Sequence, residues 1–223
     1  MKNTLRISIL LFFSFITILS AQDFFEGELK YKIDYESLNP NIPESYLERE
    51  LGSSFSAYVK EDRYTMIYDA KGIQGWMKVI VRLDQGYTYT EYEKLDTIVK
   101  TKFGSKKNKL VHFKRNSANK KEILDELCES VSIHYEPQDP TSYFQSFQGT
   151  YYFNPKYKLN SKLYDNYTDG FWNLFVGESN AISIRNEISF SPLFKSIQEV
   201  TSIEPKQIPL EMFEPNTAKI IAE

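Results

Sequence analysis

The sequence predicts a mainly β protein in which an antiparallel sheet is accompanied by a few short helices. The opening segment FFEGELKYKIDYES alternates between apolar and polar residues, which is typical of a strand with one buried face. The chain also contains 16 Tyr and 16 Phe, and aromatic residues pack well on pleated surfaces. Turn residues separate further alternating segments, and this pattern favours hairpins.

The first predicted strand has two chemically distinct faces. One face carries Phe25, Gly27, Leu29, Tyr31, Ile33 and Tyr35, and the other carries Glu26, Glu28, Lys30, Lys32, Asp34 and Glu36. Because successive side chains point to opposite sides of a strand, we expect the first set to face a core or a ligand and the second to face water.

The remaining elements follow from spacing and turn chemistry. Tyr46, Leu47 and Leu51 recur at helical spacing before Gly52, which predicts a short helix over Pro43–Leu51. The segment KKEILDELCESVSIHYE fits both the helical spacing and the strand alternation of apolar residues. We expect a turn or a short helical start, followed by a strand. Strands are predicted within 53–69, on both sides of the turn at 84–86, and over 95–103, 128–136, 150–153 and 181–203.

The N-terminus predicts export. Lys2 and Arg6 precede an apolar stretch over residues 7–19, which the small residues Ser20 and Ala21 close. We predict a signal peptide over 1–21 and a single β-rich domain over 22–223, periplasmic or secreted. An uncleaved anchor is the alternative, although about 13 apolar residues are fewer than the roughly 20 that a spanning helix needs. No later stretch is long and apolar enough to span a bilayer, so no transmembrane segment is expected after cleavage.

Charge and cysteine content restrict the function classes. The net charge of −3 argues against a nucleic-acid partner. The basic segment Lys106–Lys121 is expected to be a solvated edge or loop, with an anionic-lipid contact as the alternative. The single cysteine, Cys128, cannot form an intramolecular disulfide, and we expect it to be a small buried hydrophobe rather than a reactive thiol or an intermolecular bridge.

Several segments together resemble a known group of proteins. A strand such as FEGELKYKI, then EILDELCESVSIHY and YYFNPKYKLNSKLYDNY, and a closing VTSIEPKQIPLEMFEP are similar to a secreted bacterial family of unknown function. That family is similar in predicted shape to the periplasmic lipoprotein carriers of LolA/LolB-like fold. The resemblance implies a strongly curved half-barrel whose concave apolar face is covered by helices and holds acyl chains. Asp125-Glu126-Leu127 departs from the related pattern, which often has a glycine before the cysteine.

A curved sheet with an aromatic inner face must bury that face, and only residues 43–51 and 154–175 offer obvious covers. Incomplete cover would leave an apolar groove, in which tyrosine hydroxyls could orient a headgroup. The predicted lining residues are Leu29, Tyr31, Ile33, Tyr68, Trp76, Tyr89, Phe153, Trp172 and Phe190. The alternative is that these side chains meet and fill the core.

The sequence contains no recognised catalytic motif. His112 and His134 are the only histidines, and they lie on separate predicted strands without a metal-binding spacing. We therefore predict no catalytic residues, no metal and no cofactor. The predicted function is an exported binding or carrier module for an apolar or lipid-like ligand in the cell envelope. The alternative is an envelope module with a filled core that contacts a protein or a glycan.

Overall fold

The structure is a computed structural model that describes residues 24–223, so the predicted signal peptide lies outside the described residues. The strands of the described part are β1 (Gly27–Ser37), β2 (Ser54–Lys60), β3 (Arg63–Tyr68), β4 (Met77–Arg82), β5 (Tyr87–Tyr92), β6 (Thr97–Lys102), β7 (Asn108–Ile123), β8 (Glu126–Pro137), β9 (Ser146–Lys158), β10 (Ala181–Ser191), β11 (Phe194–Pro205) and β12 (Ile220–Ala222). The helices are α1 (Glu44–Leu51) and α2 (Trp172–Ser179), with 3-10 turns at Ser161–Tyr164, Asp169–Phe171 and Leu210–Phe213. Within residues 24–223, no helix has the length and apolar character needed to cross a membrane.

All the described strands form one sheet. Their order is β12-β6-β5-β4-β3-β2-β1-β11-β10-β9-β8-β7, and every neighbouring pair is antiparallel except β12 and β6. The chain runs outward from β1 to β6, crosses to the far edge at β7, and returns strand by strand to β11 beside β1. The predicted mainly β, antiparallel fold class is confirmed.

The connection between β6 and β7 requires the sheet to curve. Ten strand-to-strand steps separate these two strands in the sheet, which would place them about 48 Å apart if the sheet were flat. Only residues 103–107 join them, and the six residue-to-residue steps from Lys102 to Asn108 span at most about 22 Å. The sheet therefore bends into an open half-barrel with a concave and a convex face.

The predicted faces of the first strand are confirmed. Leu29, Tyr31 and Ile33 are buried, whereas Lys30 and Lys32 between them are exposed. On the concave side, the aromatic rings of neighbouring strands stack across the sheet: Tyr31 on Phe55 at 4.3 Å between centroids, and Phe55 on Tyr68 at 4.8 Å. Cross-strand aromatic pairs of this kind stabilise a sheet and fix its register.

Three local predictions are confirmed and one is extended. Of the turn or short helical start predicted before Cys128, the structure has the turn: Leu124 and Asp125 both have positive φ (51° and 60°) and connect β7 to β8. The strand predicted at Thr150–Phe153 extends over the whole of β9. The helix α1 and the edge position of the basic strand β7 agree with the sequence.

Each face of the sheet has its own cover. Residues 159–180, which include α2, pack on the concave face of the sheet; the predicted 154–175 cover overlaps them, but residues 154–158 belong to β9 and the cover continues beyond residue 175. The predicted helix α1 packs beside β1 and supplies no residue to the concave cavity described below. The convex face of β3 to β6 is covered by the C-terminal segment 206–222, a cover that the sequence did not predict. There Ile208 and Phe213 are buried, and Thr65 donates a hydrogen bond to the Met212 carbonyl at 3.0 Å.

Cys128 is fully buried, as predicted. Burial, together with the nearby Glu126 carboxylate, raises the pKa of its thiol to about 11. The thiol is therefore protonated at neutral pH, which favours a packing role over thiolate chemistry.

Candidate ligand cavity on the concave face

A cavity of about 270 Å³ lies between the concave face and residues 159–180. Its walls are mainly aromatic and aliphatic. The aromatic lining residues are Tyr31, Phe55, Tyr64, Tyr68, Tyr135, Phe147, Tyr151, Tyr164, Tyr167, Trp172, Phe175 and Phe190. Both the sheet and the covering segment contribute rings, so the cavity is a gap between two aromatic layers.

Gly149 shapes one wall by leaving room for Tyr151. A Cβ atom at position 149 would lie 2.5 Å from the Tyr151 ring, so the ring lies directly against the strand at this point. Tyr151 in turn contacts Trp172 at 5.5 Å and Phe175 at 5.6 Å between ring centroids. The glycine therefore keeps this aromatic group at the wall of the cavity.

Tyr167 links the cover to the strands of the β6 side. Its hydroxyl lies 3.3 Å from the Tyr64 hydroxyl, and its ring lies 4.5 Å from Phe103 in the connection to β7. The cover is thus attached to both ends of the curved sheet, through Tyr167 on one side and through Tyr151, Trp172 and Phe175 on the other.

Tyrosines are the only ionisable residues among those that line the cavity within the described chain. Burial raises the pKa of Tyr135 and of Tyr167 to about 12. Burial also raises the pKa of Tyr31, Tyr64 and Tyr151 above the usual range. These hydroxyls are neutral at physiological pH, so the lining carries no formal charge.

One part of the wall is polar. Ser183, Asn186 and Gln198 line the cavity from β10 and β11, and the first two are buried. Ser183 donates a hydrogen bond to Asn186 Oδ1, and Asn186 Nδ2 donates to Gln198 Oε1 at 3.1 Å. The Tyr31 hydroxyl donates to the Ser183 carbonyl at 2.7 Å. We call Ser183, Asn186 and Gln198 the polar floor.

The nine predicted lining residues occupy three different places. Tyr31, Tyr68, Trp172 and Phe190 line the cavity. Leu29, Ile33 and Phe153 are buried in the adjoining core and do not reach it. Trp76 and Tyr89 lie on the convex side, which corrects their predicted position.

Strand register explains the two convex residues. Tyr89 pairs with Ile80, and these two residues pack with Ile98 in a small separate core. Trp76 lies in a convex groove, where the Lys219 ammonium is 5.4 Å from the centre of its ring. Alternation identifies which residues share a face, but it does not identify which face becomes concave.

Several lining residues were absent from the prediction. Phe55, Tyr64, Tyr151, Tyr164 and Tyr167 contribute rings, and the first three occupy alternating strand positions that could have indicated them. The polar floor gave no such signal, because Asn and Gln in a strand are ordinarily read as solvent-facing.

A second depression adjoins the cavity and shares Tyr135, Phe147 and Gly170 with it. Lys106 and Lys107 lie on its rim. We call this depression the mouth, because its shared residues place it where the cavity meets the surface.

The described residues contain no group of three His, Cys, Asp or Glu side chains that could hold a metal ion. His112 and His134 occur on neighbouring strands and are directly paired in the β7–β8 register. That arrangement brings them closer than the sequence suggested, yet supplies only two ligands of the three or four that a zinc site uses.

No family model and no curated protein matches the chain. Solved structures with a similar fold include the following three. An uncharacterized conserved protein from Thermus thermophilus has 6% identity and a TM-score of 0.45, and the match covers 88% of this chain and 90% of that one. PNGF-II has 9% identity and a TM-score of 0.41, covering 86% of this chain and 30% of that one. A LolA superfamily protein from Nitrosomonas europaea has 8% identity and a TM-score of 0.39, covering 86% and 91%. At these scores the similarities carry no argument about function.

Proposed function

We propose that this protein is an exported binding or carrier module that holds one apolar or lipid-like ligand in the concave cavity. The observation that carries the proposal is the cavity itself, an aromatic-lined space between the sheet and its cover. Ligand sites are typically concave and mostly apolar, with a few well-placed polar groups. The cavity has this composition, with the polar floor supplying the polar groups.

The volume limits the ligand to one chain or one compact ring system. A cavity of about 150 Å³ accommodates benzene, and typical ligand pockets begin near about 300 Å³. At about 270 Å³ the cavity suits a single acyl chain of moderate length or two fused rings. A ligand with several acyl chains would have to leave most of its apolar surface outside.

The mouth offers a route for entry. It is continuous with the cavity through Tyr135, Phe147 and Gly170. Gly170 and Phe171 both have φ of 60° at this point. The Tyr135 hydroxyl would lie 3.6 Å from a Cβ atom at Gly170, so an acyl chain that enters at this point has to displace the Tyr135 side chain.

Native mass spectrometry of the mature protein, purified under mild conditions from its own cell envelope, tests the proposal. We expect an adduct at near-unit stoichiometry that denaturing extraction identifies as an apolar or lipid-like molecule. A clean apo mass, with no uptake of single-chain lipids on later incubation, would favour the alternative of an interaction module with no ligand.

Two variants on the same strand provide a matched control. Ala57 lines the cavity, whereas its neighbour Ser56 points to the convex face. Ala57→Phe should fill the cavity and abolish the adduct, and Ser56→Phe should retain it. Equal adduct levels in the two variants would show that the bound molecule lies elsewhere.

A further inference from the structure

The hydrogen bonds of the polar floor all run in one direction, and this direction determines which kind of ligand group the polar floor can bind. Each hydrogen bond in it runs the same way, from the Ser183 hydroxyl to Asn186 and from the Asn186 amide to Gln198 Oε1. The acceptor oxygens of Asn186 and Gln198 each accept one of these hydrogen bonds. The sequence of bonds ends on the Nε2 amide of Gln198, which donates no hydrogen bond to any described residue.

Gln198 Nε2 is a free donor at the wall of an apolar space. The side chain lines the cavity and is only partly buried, so its amide can donate to a molecule inside the cavity. A ligand acceptor there would take the place of water as the partner of this donor. A carbonyl or ether oxygen is an acceptor of this type.

A second observation concerns charge. The lining holds no Lys, Arg or His, so an anionic ligand would have no counterion within the cavity. The charged residues of the same two strands, Arg185, Glu187 and Glu199, pair with one another on the convex face. At the mouth, Asp169 interacts with the positively charged Lys106, and Lys107 lines the same depression, so charges of both signs lie at the mouth and neither sign lies in the cavity.

We propose that the cavity selects an uncharged amphiphile that has a hydrogen-bond acceptor, such as an acyl ester, with its carbonyl oxygen bound by Gln198 Nε2. A free carboxylate of the same chain length is disfavoured at Gln198, because its charge would be buried there without compensation and Lys106 and Lys107 line the mouth and not the cavity. This inference rests on the proposed function, since it assigns the ligand class of the same cavity.

Displacement of a neutral fluorescent probe, N-phenyl-1-naphthylamine, from the mature protein tests the selection. Methyl dodecanoate and dodecanoic acid share one chain and differ in charge. At neutral pH we expect the ester to displace the probe at a concentration at least about tenfold lower than the acid. Equal potency of the two, or a more potent acid, would overturn the inference.

Substitutions at Gln198 test the donor. Gln198→Leu removes it, and Gln198→Glu keeps the shape of the side chain while replacing the donor with an acceptor. Both should weaken ester binding by roughly tenfold. The matched control is Gln148→Leu on the exposed side of β9, which should leave ester binding unchanged. Unchanged ester binding in both Gln198 variants, with unchanged melting temperatures, would overturn the assignment.

Different results would contradict the proposed function, which is ligand binding in the cavity, and the inference, which is selection of uncharged ligands. If the probe does not bind, or no ligand displaces it, the cavity is not a ligand site, and the proposed function fails with the inference. If the ester and the acid both displace the probe with equal potency, the cavity binds ligands without selecting them by charge. In that case the proposed function stands and only the inference is lost.

Discussion

The two faces of the sheet are covered in different ways. On the convex side, the C-terminal segment 206–222 seals a small core, and Phe213 is completely buried there. On the concave side, residues 159–180 cover a much larger aromatic surface and leave a cavity of about 270 Å³. One face is closed by its cover, and the other retains internal space.

The forces that hold the two covers also differ. The convex cover is held by ion pairs as well as by the burial of Phe213: Arg82 lies 2.9 Å from Glu214, and Lys219 lies 3.3 Å from the buried Glu91. The contacts that hold the concave cover around the cavity are mainly ring packing and tyrosine hydroxyls. Ring contacts are less directional than ion pairs, so the concave cover can adjust around a ligand while the convex cover stays closed.

The largest expected loss of stability comes from a substitution in the core on the convex side. Phe213→Ala should lower the free energy of unfolding by about 3 to 5 kcal/mol, because the surrounding residues cannot collapse fully into the space. Chemical denaturation measures this. The control is Leu210→Ala in the same turn, where the side chain is 57% exposed and the expected loss is under about 0.5 kcal/mol. Similar losses in the two variants would contradict a sealed convex core.

The buried ion pair should have the next largest effect. Lys219→Met leaves the Glu91 carboxylate, which is 3% exposed, without its ion-pair partner. We expect a loss of about 3 kcal/mol in denaturation experiments. Lys195→Met, which removes an exposed pair with Glu36, should cost at most about 1 kcal/mol. If the two losses are equal, charge does not fix the convex cover.

A smaller change in stability, with a large effect on binding, is expected at Gly149. Gly149→Ala displaces the Tyr151 ring towards Trp172 and Phe175, at a cost of about 1 to 2 kcal/mol. Because these rings line the cavity, uptake of methyl dodecanoate should fall about tenfold or more. Normal uptake by this variant would show that the ligand does not occupy the space beside Tyr151.

Acidification should affect the concave cover and the turn between β4 and β5 in opposite directions. Hydrogen bonds from Arg82 hold the pKa of Asp84, which lies in that turn, below its usual range, so the stability that Asp84 contributes is present above the ordinary carboxyl pKa of about 4 and is lost as the pH falls further. Burial raises the pKa of Asp169, so its ionised form destabilises the concave cover, and lowering the pH towards about 4 removes that cost.

Amide hydrogen exchange, corrected for the intrinsic effect of pH on the exchange rate, distinguishes the effect of Asp84 from the effect of Asp169. Protection in the segment at 165–171 should rise between neutral pH and about 4, and protection in the turn at 82–87 should fall only below that range. A parallel change in both segments would contradict the assigned roles of Asp84 and Asp169.

Much of the fold could be predicted from the alternation of apolar residues and from the turn residues. The predictions that were wrong, those for Trp76 and Tyr89, have a physical explanation. The strand β1 has one charged face, so its pattern identifies the buried side directly. In β4, by contrast, Ile80, Val81 and Arg82 are all buried, because both faces are covered at that point. The convex cover comes from a proline-containing segment without periodicity, so no pattern indicated that it packs there. Trp76 and Tyr89 were therefore assigned to the wrong face.

The polar floor could not be predicted for a related reason. Asn186 and Gln198 look like ordinary solvent-facing residues within an alternating strand. Only the β10–β11 register, which pairs them directly, shows that they satisfy each other inside the half-barrel. The composition of the cavity wall was predictable from the sequence, whereas its polar part depends on contacts between strands.

The two tryptophans of the chain report on opposite faces, and they allow the most direct test of the central claim. Trp172 lines the cavity and Trp76 lies on the convex side, so Trp76→Phe and Trp172→Phe each leave one reporter. The account predicts that methyl dodecanoate produces a saturable change in the fluorescence of Trp76→Phe and none in Trp172→Phe. A change only in Trp172→Phe, or in neither variant, would contradict a ligand site on the concave face.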